Sequence, residues 1–443
     1  MKKLTLPWSK SITNRNLILA SLSEWKTKLN WILVSDDTRF MINALKDLGI
    51  KIEDNWTSVI VEWGVNNLNC GEVEIYLGQS GTCMRFLPAL ACLLKKWTVT
   101  FVGEERLMER PLWALIDWIS QMWIDIKARD EKLPPVIVKS WEITKNIIRM
   151  DWTVSSQFFT ALMNIGGFIK WGLEIEVVWD LVSKPYIDMT IFELSKFWIE
   201  VENNDYKSFK INPHLASTKG RGITQYINIE WDASALSYIA NYIVLHWWRI
   251  EITNLWKDTK QWDYKYLRVL KDYFWLIYES NWKNTILRAG WIDKLNLSKI
   301  KNIDFEDMPD ISMSFMSLAI FLPWKTKITG LKTLNLKECK RIDVMRDELK
   351  KLWVEVNSNE DSIEIWEYFW KAWWTWFFWI WKIKIKTYDD HRIAMTFWIL
   401  ETYLNKKYKE RIKILNPDCI NKTYPNFWED LKNLWEIENV LEI

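Results

Sequence analysis

One phrase recurs six times along this chain of 443 residues: a helical stretch, a leucine or its equivalent, one slot residue, then an alternating strand. The copies read ALKDLGIKIED, WISQMWIDIKA, ELSKFWIEVEN, VLKDYFWLIYE, ELKKLWVEVNS and DLKNLWEIENV, with Gly49, Trp123, Trp198, Trp275, Trp353 and Trp435 in the slot. A second phrase interleaves with it: helix, a polar Gly/Trp position, then a strand, as in SEWKTKLNWI, KKWTVTFVG, IKWGLEIEVV, LHWWRIEITN, LPWKTKITG and, more weakly, KKYKERIKIL. Together they imply six units of about 75 residues, each with two helices and several strands, a period too long for a thin solenoid and suited to small α/β modules. Three units make one domain and two domains account for the chain. The expected division is residues 10–228 for one domain and 1–9 with 229–443 for the other. A short strand at Leu4–Leu6 joins the second half, and a strand after Trp231 opens the fourth unit.

A helix that turns into a strand within two residues needs a left-handed residue just past its end, and glycine takes that conformation most cheaply. One slot holds glycine and five hold tryptophan, a residue for which positive φ is a genuine outlier. The composition agrees: 34 Trp stand against 13 Gly, when glycine ordinarily makes up about 7% of a chain. Tryptophans also occupy turn-like contexts, P-W-S at 7–9, E-W-K-T at 24–27, N-W-T at 55–57 and P-W-K-T at 323–326. The expectation is that most of these letters stand for glycine codons, a UGA read as glycine in the source cell. Trp8, Trp123, Trp198, Trp231, Trp275, Trp324 and Trp353 are then expected at backbone sites shaped for glycine, several with positive φ or a solvent-facing indole.

The net charge of +2 argues against a dedicated nucleic-acid or membrane-surface protein. Cys70, Cys83, Cys92, Cys339 and Cys419 form no C-x-x-C pair, which suits a reducing cytoplasm. The segment MKKLTLPWSKS has no apolar run, so no signal peptide is expected, and no stretch is long and apolar enough for a membrane span. A metal site is not expected, because no H-x₃-H, H-E-x-x-H or Cys pair is present.

Chemistry-bearing segments fall between the repeats. LPWSKSITNR places Lys10, Ser11 and Arg15 at a helix start, either an anion site or a cap with solvated charges. LGQSGTCMRF places Gly78 and Gly81 in a tight turn before Thr82 and Arg85. ERPLWALI carries Arg110 before a proline, with Arg106 upstream, and TVSSQFFTAL carries Ser155, Ser156 and Gln157 ahead of an apolar helix. LVSKPYIDMT offers Ser183, Lys184 and Tyr186 around a proline, a ligand contact or a surface turn. In the second half EDMPDISM puts Asp310 before a Met-rich helix, where it serves as an N-cap with no function required. LKECKR holds Lys337, Glu338 and Arg341, YDDHRIAM holds His391 and Arg392, and NKTYPNFWEDL holds Lys422 in a loop bounded by prolines.

Taken in order and with Trp read as Gly, these segments closely resemble the EPSP synthases of the enolpyruvyl transferase family, from about residue 4 to 430. Glycines of the family's signatures stand here as Trp8, Trp113, Trp152, Trp179 and Trp231; Trp428 sits where an aromatic is expected. The resemblance implies a two-domain inside-out α/β barrel, each domain built of three βαβαββ units. It implies transfer of the enolpyruvyl group of phosphoenolpyruvate to the 5-hydroxyl of shikimate 3-phosphate, without metal or organic cofactor, by a cytoplasmic monomer whose partners are small molecules. Lys10, Ser11, Arg15, Ser155, Ser156, Gln157, Ser183, Tyr186, Asp310 and Lys337 would hold shikimate 3-phosphate. Lys10, Gly81, Arg110, Gln157, Arg341, Arg392 and Lys422 would hold phosphoenolpyruvate. Asp310 would act as base toward the hydroxyl and Glu338 as proton donor to the methylene, with Lys422 sharing protons.

Lys340 departs from the acidic residue usual before the family's arginine, and Phe86 from a Pro or Leu. The nearest alternative enzyme is a UDP-N-acetylglucosamine 1-carboxyvinyltransferase, which lacks the SKSxxNR and SSQ phrases and normally uses a loop cysteine; Cys83 and Cys92 are not so placed. A catalytically inactive phosphate-binding relative would keep the basic residues without needing both Asp310 and Glu338.

Overall fold

In the structure, a computed structural model, the described residues are 1–62, 64, 71–150, 155–178, 181, 183–214, 224–246, 249–256, 258–281, 283–289, 302–367, 383–408 and 412–435. The fold is mixed α/β and separates into two compact units, Trp8–Glu230 and Met1–Pro7 with Trp231–Ile443.

Within the first unit one sheet pattern repeats three times. Gly71–Tyr76 pairs in parallel with Trp97–Val102, which continues antiparallel through Leu133–Lys139 to Asp125–Arg129. Ile147–Met150, Leu173–Val177, Ser208–Ile211 and Val201–Asn204 form the second copy. The third is closed from a distance: Gln225–Asn228 lies parallel to Thr27–Asn30, followed by Ser58–Glu62 and Lys51–Asp54. A parallel pair requires a crossover; a buried helix lies within it in the first two copies, and in the third the buried helix Lys10–Leu22 leads into Thr27–Asn30. Each crossover helix is apolar or small almost all round and is buried: Lys10–Leu22 from Ile12 onward, all of Cys83–Ala91, and Ser156–Gly166 from Phe158. The three pack on one another.

The other unit repeats the plan. Lys2–Leu4 pairs in parallel with Arg249–Ile252, then Thr285–Arg288 and Ile277–Ser280. Asn302–Asp304 begins the same order through Thr326–Thr329, Ile363–Ile365 and Val356–Ser358. Ile383–Lys386 and Ile412–Leu415 supply the parallel pair of the last copy. Its buried helices are Ala233–His246, Pro309–Ala319 and His391–Tyr408. Small polar residues on two of them satisfy each other: Ser237 and Ser314 hydroxyls lie 2.8 Å apart, Asn241 donates to the Ser314 carbonyl, and Tyr266 donates to Asn241. Two local expectations are corrected. The N-terminal strand is Lys2–Leu4, because Leu6 N–H bonds the Asn254 side chain instead of a strand. A helix, not a strand, follows Trp231, because the Asp232 carboxylate accepts from Ala235 N–H and starts the helix.

The repeated slot has one geometry. Gly49 has φ 87°, and Trp123, Trp198, Trp275 and Trp353 have φ 65°, 55°, 56° and 63°. In four of the five the next residue's N–H reaches back to the helix, Ile50 to Leu45, Ile199 to Leu194, Leu276 to Leu270 and Val354 to Leu349; at the fifth, Trp123 N–H itself bonds the Ser120 carbonyl. This is the helix stop that glycine serves elsewhere. With a Cβ present, a left-handed residue costs about 1–2 kcal/mol. The four indoles gain little in return, being 74%, 62%, 39% and 70% exposed. Trp31 and Trp56 also have φ 61°. Trp8 is half-buried and stacks on Trp31, while Trp231 is fully buried against Tyr264 with its indole N–H unpaired, and Trp324 is half-buried with its N–H also unpaired. Trp428 packs on Phe427 and Trp398. Trp152 and Trp179 lie outside the described residues.

Candidate functional site

Side-chain contacts fix how the three buried helices of the Trp8–Glu230 unit are aligned. Arg15 lies over the Phe86 ring at 5.8 Å and donates to Thr160, while Arg85 lies over Phe158 at 5.0 Å. These residues sit within the first two turns of their helices, so the helices start at a common end. That end gathers Lys10 and Ser11, the Gly81 turn, and Ser155 to Gln157. The positive ends of three helix dipoles point there, which suits anionic oxygen.

Each side chain at this end is held. Ser9 caps the first helix by accepting from Ile12 N–H. Lys10 Nζ lies 3.0 Å from the buried Asp37 carboxylate. Arg15 Nε donates to Thr190 at 3.0 Å, Nη2 to Thr160, and Nη1 to the Ser11 carbonyl and hydroxyl. Burial pulls the Arg15 guanidinium down to about 10, against Glu193 and Tyr186, so it stays charged at neutral pH. Ser155 caps the third helix, and Ser156 and Gln157 begin it, half-buried. Ser183 is left-handed, φ 57°, and buried, with Tyr186 half-buried one turn along; Lys184 instead lies over the surface Tyr206 ring.

A Cβ at Gly81 would fall 2.3 Å from Arg110 Nη1 and 2.7 Å from Arg85 Nη1, so a side chain there would push the guanidinium groups off the turn. Two buried guanidinium groups therefore flank one bare stretch of backbone, and Arg85 Nη1 donates to the Gly81 carbonyl at 2.7 Å. Sequence reasoning gave Arg85 no role. Its signal was the spacing: four residues after Gly81 places it one helical turn on, over the turn itself. Arg106, by contrast, is exposed and pairs with Glu109.

The other unit carries a cluster of seven charges. Arg341, at the start of the helix Arg341–Lys351 and almost fully buried, donates from Nε to Asp390 at 2.7 Å, from Nη1 to Asp310 at 2.8 Å and from Nη2 to Glu338 at 2.7 Å. Lys422 Nζ lies 3.0 Å from the other Glu338 oxygen. Lys337 Nζ and Arg392 Nη2 each approach Asp310 at 3.4 Å. Arg392 Nη2 also reaches Ser234 at 3.3 Å. Asp310 is not the N-cap expected from sequence: Met308 caps and Pro309 takes the first helical position, so the carboxylate, one residue further, turns to the cations.

The electrostatics are those of a tightly coupled buried network. Burial alone would raise the Asp310 carboxyl, but Lys337, Arg392 and Arg341 outweigh it and hold the group well below the usual carboxylate range. Burial pulls Lys337 down, against the opposing pull of Asp310. Burial also disfavours the Arg341 charge, but Asp390, Glu338 and Asp310 drive it well above its ordinary value. Asp390 is fully buried and accepts from Arg392 N–H as well as from Arg341. His391 is buried beside it. Among the described residues no cluster of His, Cys, Asp and Glu is arranged to hold a metal, and no helix is long and apolar enough to cross a membrane.

Three comparisons with known proteins agree. The family model for EPSP synthase (3-phosphoshikimate 1-carboxyvinyltransferase) matches residues 1–431. The 3-phosphoshikimate 1-carboxyvinyltransferase of Mannheimia haemolytica is 33% identical over 98% of this chain and 96% of its own length. That of Colwellia psychrerythraea is 33% identical over 97% and 96%. The solved EPSP synthase of Acinetobacter baumannii shares the fold, with a TM-score of 0.71 at 19% identity, covering 97% of this chain and 95% of that one.

Proposed function

The chain belongs to the EPSP synthase family, and with that as premise we propose how its residues divide the work. The reaction moves the enolpyruvyl group of phosphoenolpyruvate to the 5-hydroxyl of shikimate 3-phosphate and releases phosphate, a step in aromatic biosynthesis.

Lys10, Ser11, Arg15, Ser155, Ser156, Gln157, Ser183 and Tyr186, with Asp310 and Lys337, hold shikimate 3-phosphate. Lys10, Gly81, Arg110, Gln157, Arg341, Arg392 and Lys422 hold phosphoenolpyruvate, joined by Arg85. Guanidinium forks match the planar carboxylate and the phosphate better than ammonium groups would. The chemistry is addition followed by elimination. The hydroxyl oxygen bonds to C2 of the donor while Glu338 gives a proton to its methylene, making a methyl group. The tetrahedral adduct then expels phosphate, which carries away the proton taken from the hydroxyl, and returns a methyl proton to Glu338, restoring the double bond. Asp310 takes the hydroxyl proton; its carboxylate is ionised at working pH, and the incoming substrate anions raise its basicity by offsetting Lys337, Arg392 and Arg341. Lys422, 3.0 Å from Glu338, orients that carboxyl and shares its proton.

The observation that carries this reading is the placement of Asp310 and Glu338 on two nitrogens of one buried guanidinium, with Lys422 on the far side of Glu338. It favours an active enzyme over an inert phosphate binder. Phosphate release from phosphoenolpyruvate is expected to depend on shikimate 3-phosphate and not on UDP-N-acetylglucosamine. Release driven by the nucleotide sugar instead would transfer the chain to the alternative enzyme.

The domains proposed, 10–228 and 1–9 with 229–443, are supported by compact units that divide within two residues of those limits. A cytoplasmic monomer is proposed on the four described free cysteines and the small-molecule substrates. We also infer that the slot tryptophans are glycine in the protein the source cell makes, on the shared φ and helix stop of Gly49 and its four described counterparts. Intact mass of the natural protein should fall below that of the literal sequence by one indolylmethyl-for-hydrogen exchange per recoded position. A mass equal to the literal sequence would reject the inference.

A further inference from the structure

The turn that delivers Asp390 and Arg392 runs through two consecutive left-handed residues, neither of them glycine: Tyr388 at φ 53° and Asp389 at φ 54°. Such residues persist only where the surroundings over-determine them. Here the surroundings are one helix. Glu348, fully buried on Arg341–Lys351, accepts from Tyr388 OH at 2.9 Å, from Lys386 N–H at 3.2 Å and from Lys351 Nζ at 2.5 Å.

Glu348 follows Arg341 by seven residues, two helical turns, so the two side chains share a stripe about 10 Å long. The strand end at Lys386 and the Tyr388 hydroxyl attach to the far end of that stripe. Asp390 attaches to the near end, through Arg341. Asn416 adds a bond to the Asp389 side chain, and Thr387 bonds the Asn416 carbonyl. The strained turn is thus stapled at both ends to the helix that carries the cluster's central arginine.

We propose that Glu348 and Tyr388 are positioning residues: the buried carboxylate, through the Tyr388 hydroxyl, holds the left-handed turn that sets Asp390 against Arg341 and aims Arg392. The proposal rests on the reading that Arg341 and Arg392 hold phosphoenolpyruvate. Burial, and then Glu348, push the Tyr388 phenol up to about 12, so it remains a donor throughout the working range.

Two substitutions at Tyr388 separate this role from simple packing. Tyr388→Phe keeps the ring and loses the hydroxyl anchor, leaving a costly left-handed residue unheld. Tyr388→Gly loses the anchor too, but glycine takes positive φ without steric cost. Tyr388→Phe is expected to raise KM for phosphoenolpyruvate about fivefold, the scale of one lost hydrogen bond. Turnover and KM for shikimate 3-phosphate should stay within about twofold, the pattern of lost uniform binding of one substrate. Tyr388→Gly should lie closer to the parent than Tyr388→Phe. A glycine variant worse than phenylalanine, or a phenylalanine variant at the parent value, would overturn the proposal. Arg392→Lys, measured alongside, tests the underlying reading on its own: an unchanged KM for phosphoenolpyruvate there would remove the anion site itself, whatever Tyr388 shows.

Discussion

Asp310→Asn and Glu338→Gln are each expected to lower turnover at least a hundredfold, the usual scale for a group that moves a proton in the transition state. Both substitutions preserve volume and hydrogen-bonding shape, so the loss should appear in turnover while both variants stay folded. Asp310→Asn removes a carboxylate that three cations share, Lys337, Arg341 and Arg392. Glu338→Gln removes the partner of Lys422 and of one Arg341 nitrogen. Steady-state rates with saturating substrates decide the matter. Near-parent turnover in both variants would mean that the cluster binds anions and does no acid–base work.

The second large effect falls on stability. Arg341 touches Asp310, Glu338 and Asp390 together, and it is 1% exposed. Replacing it by methionine leaves three carboxylates crowded in a buried pocket. Breaking a buried pair in this way costs about 3–5 kcal/mol. The denaturant midpoint of Arg341→Met should drop accordingly, and activity should be lost with it. Arg341→Lys should recover part of the stability, since a charge returns, but little of the phosphoenolpyruvate binding, since one ammonium cannot replace a fork reaching three carboxylates. An Arg341→Met protein as stable as the parent would show that the carboxylates are not held by this residue.

Much of the architecture was legible because the helix-to-strand slot is a local signal. Gly49 declares a left-handed stop, and its five counterparts stand in the same frame, so six units could be counted without knowing any contact. The polar residues at the buried helix starts were legible for a similar reason, since Lys10, Arg15 and Gln157 stand just ahead of apolar runs. The N-cap reading of Asp310 failed because Met308 and Pro309 carry no cap signature, and the carboxylate's partners lie 27 to 82 residues away in sequence. Arg85 was named beside a tight turn but given no substrate contact, because its place next to Arg110 and Gly81 shows only in the folded chain. Tyr388 gave no warning of positive φ, and Asp389, a residue that tolerates it, was not singled out for it. The Glu348 anchor on Tyr388 and the Asn416 bond to Asp389 hold the turn, and these contacts span 40 and 27 residues.

The most direct test of the central claim is the fate of the donor's methylene hydrogens. In D₂O with phosphoenolpyruvate and shikimate 3-phosphate, the protein should release one phosphate for each enolpyruvyl group transferred. Deuterium should also appear in the vinyl methylene of the product. Protonation by an exchangeable donor makes a methyl group, and any of its hydrogens can leave as the double bond returns. NMR of the product reads both results at once. Phosphate released with free pyruvate, or a transferred enolpyruvyl group bearing no deuterium, would contradict the account: the first denies the transfer, and the second denies the proton that Glu338 is assigned to give.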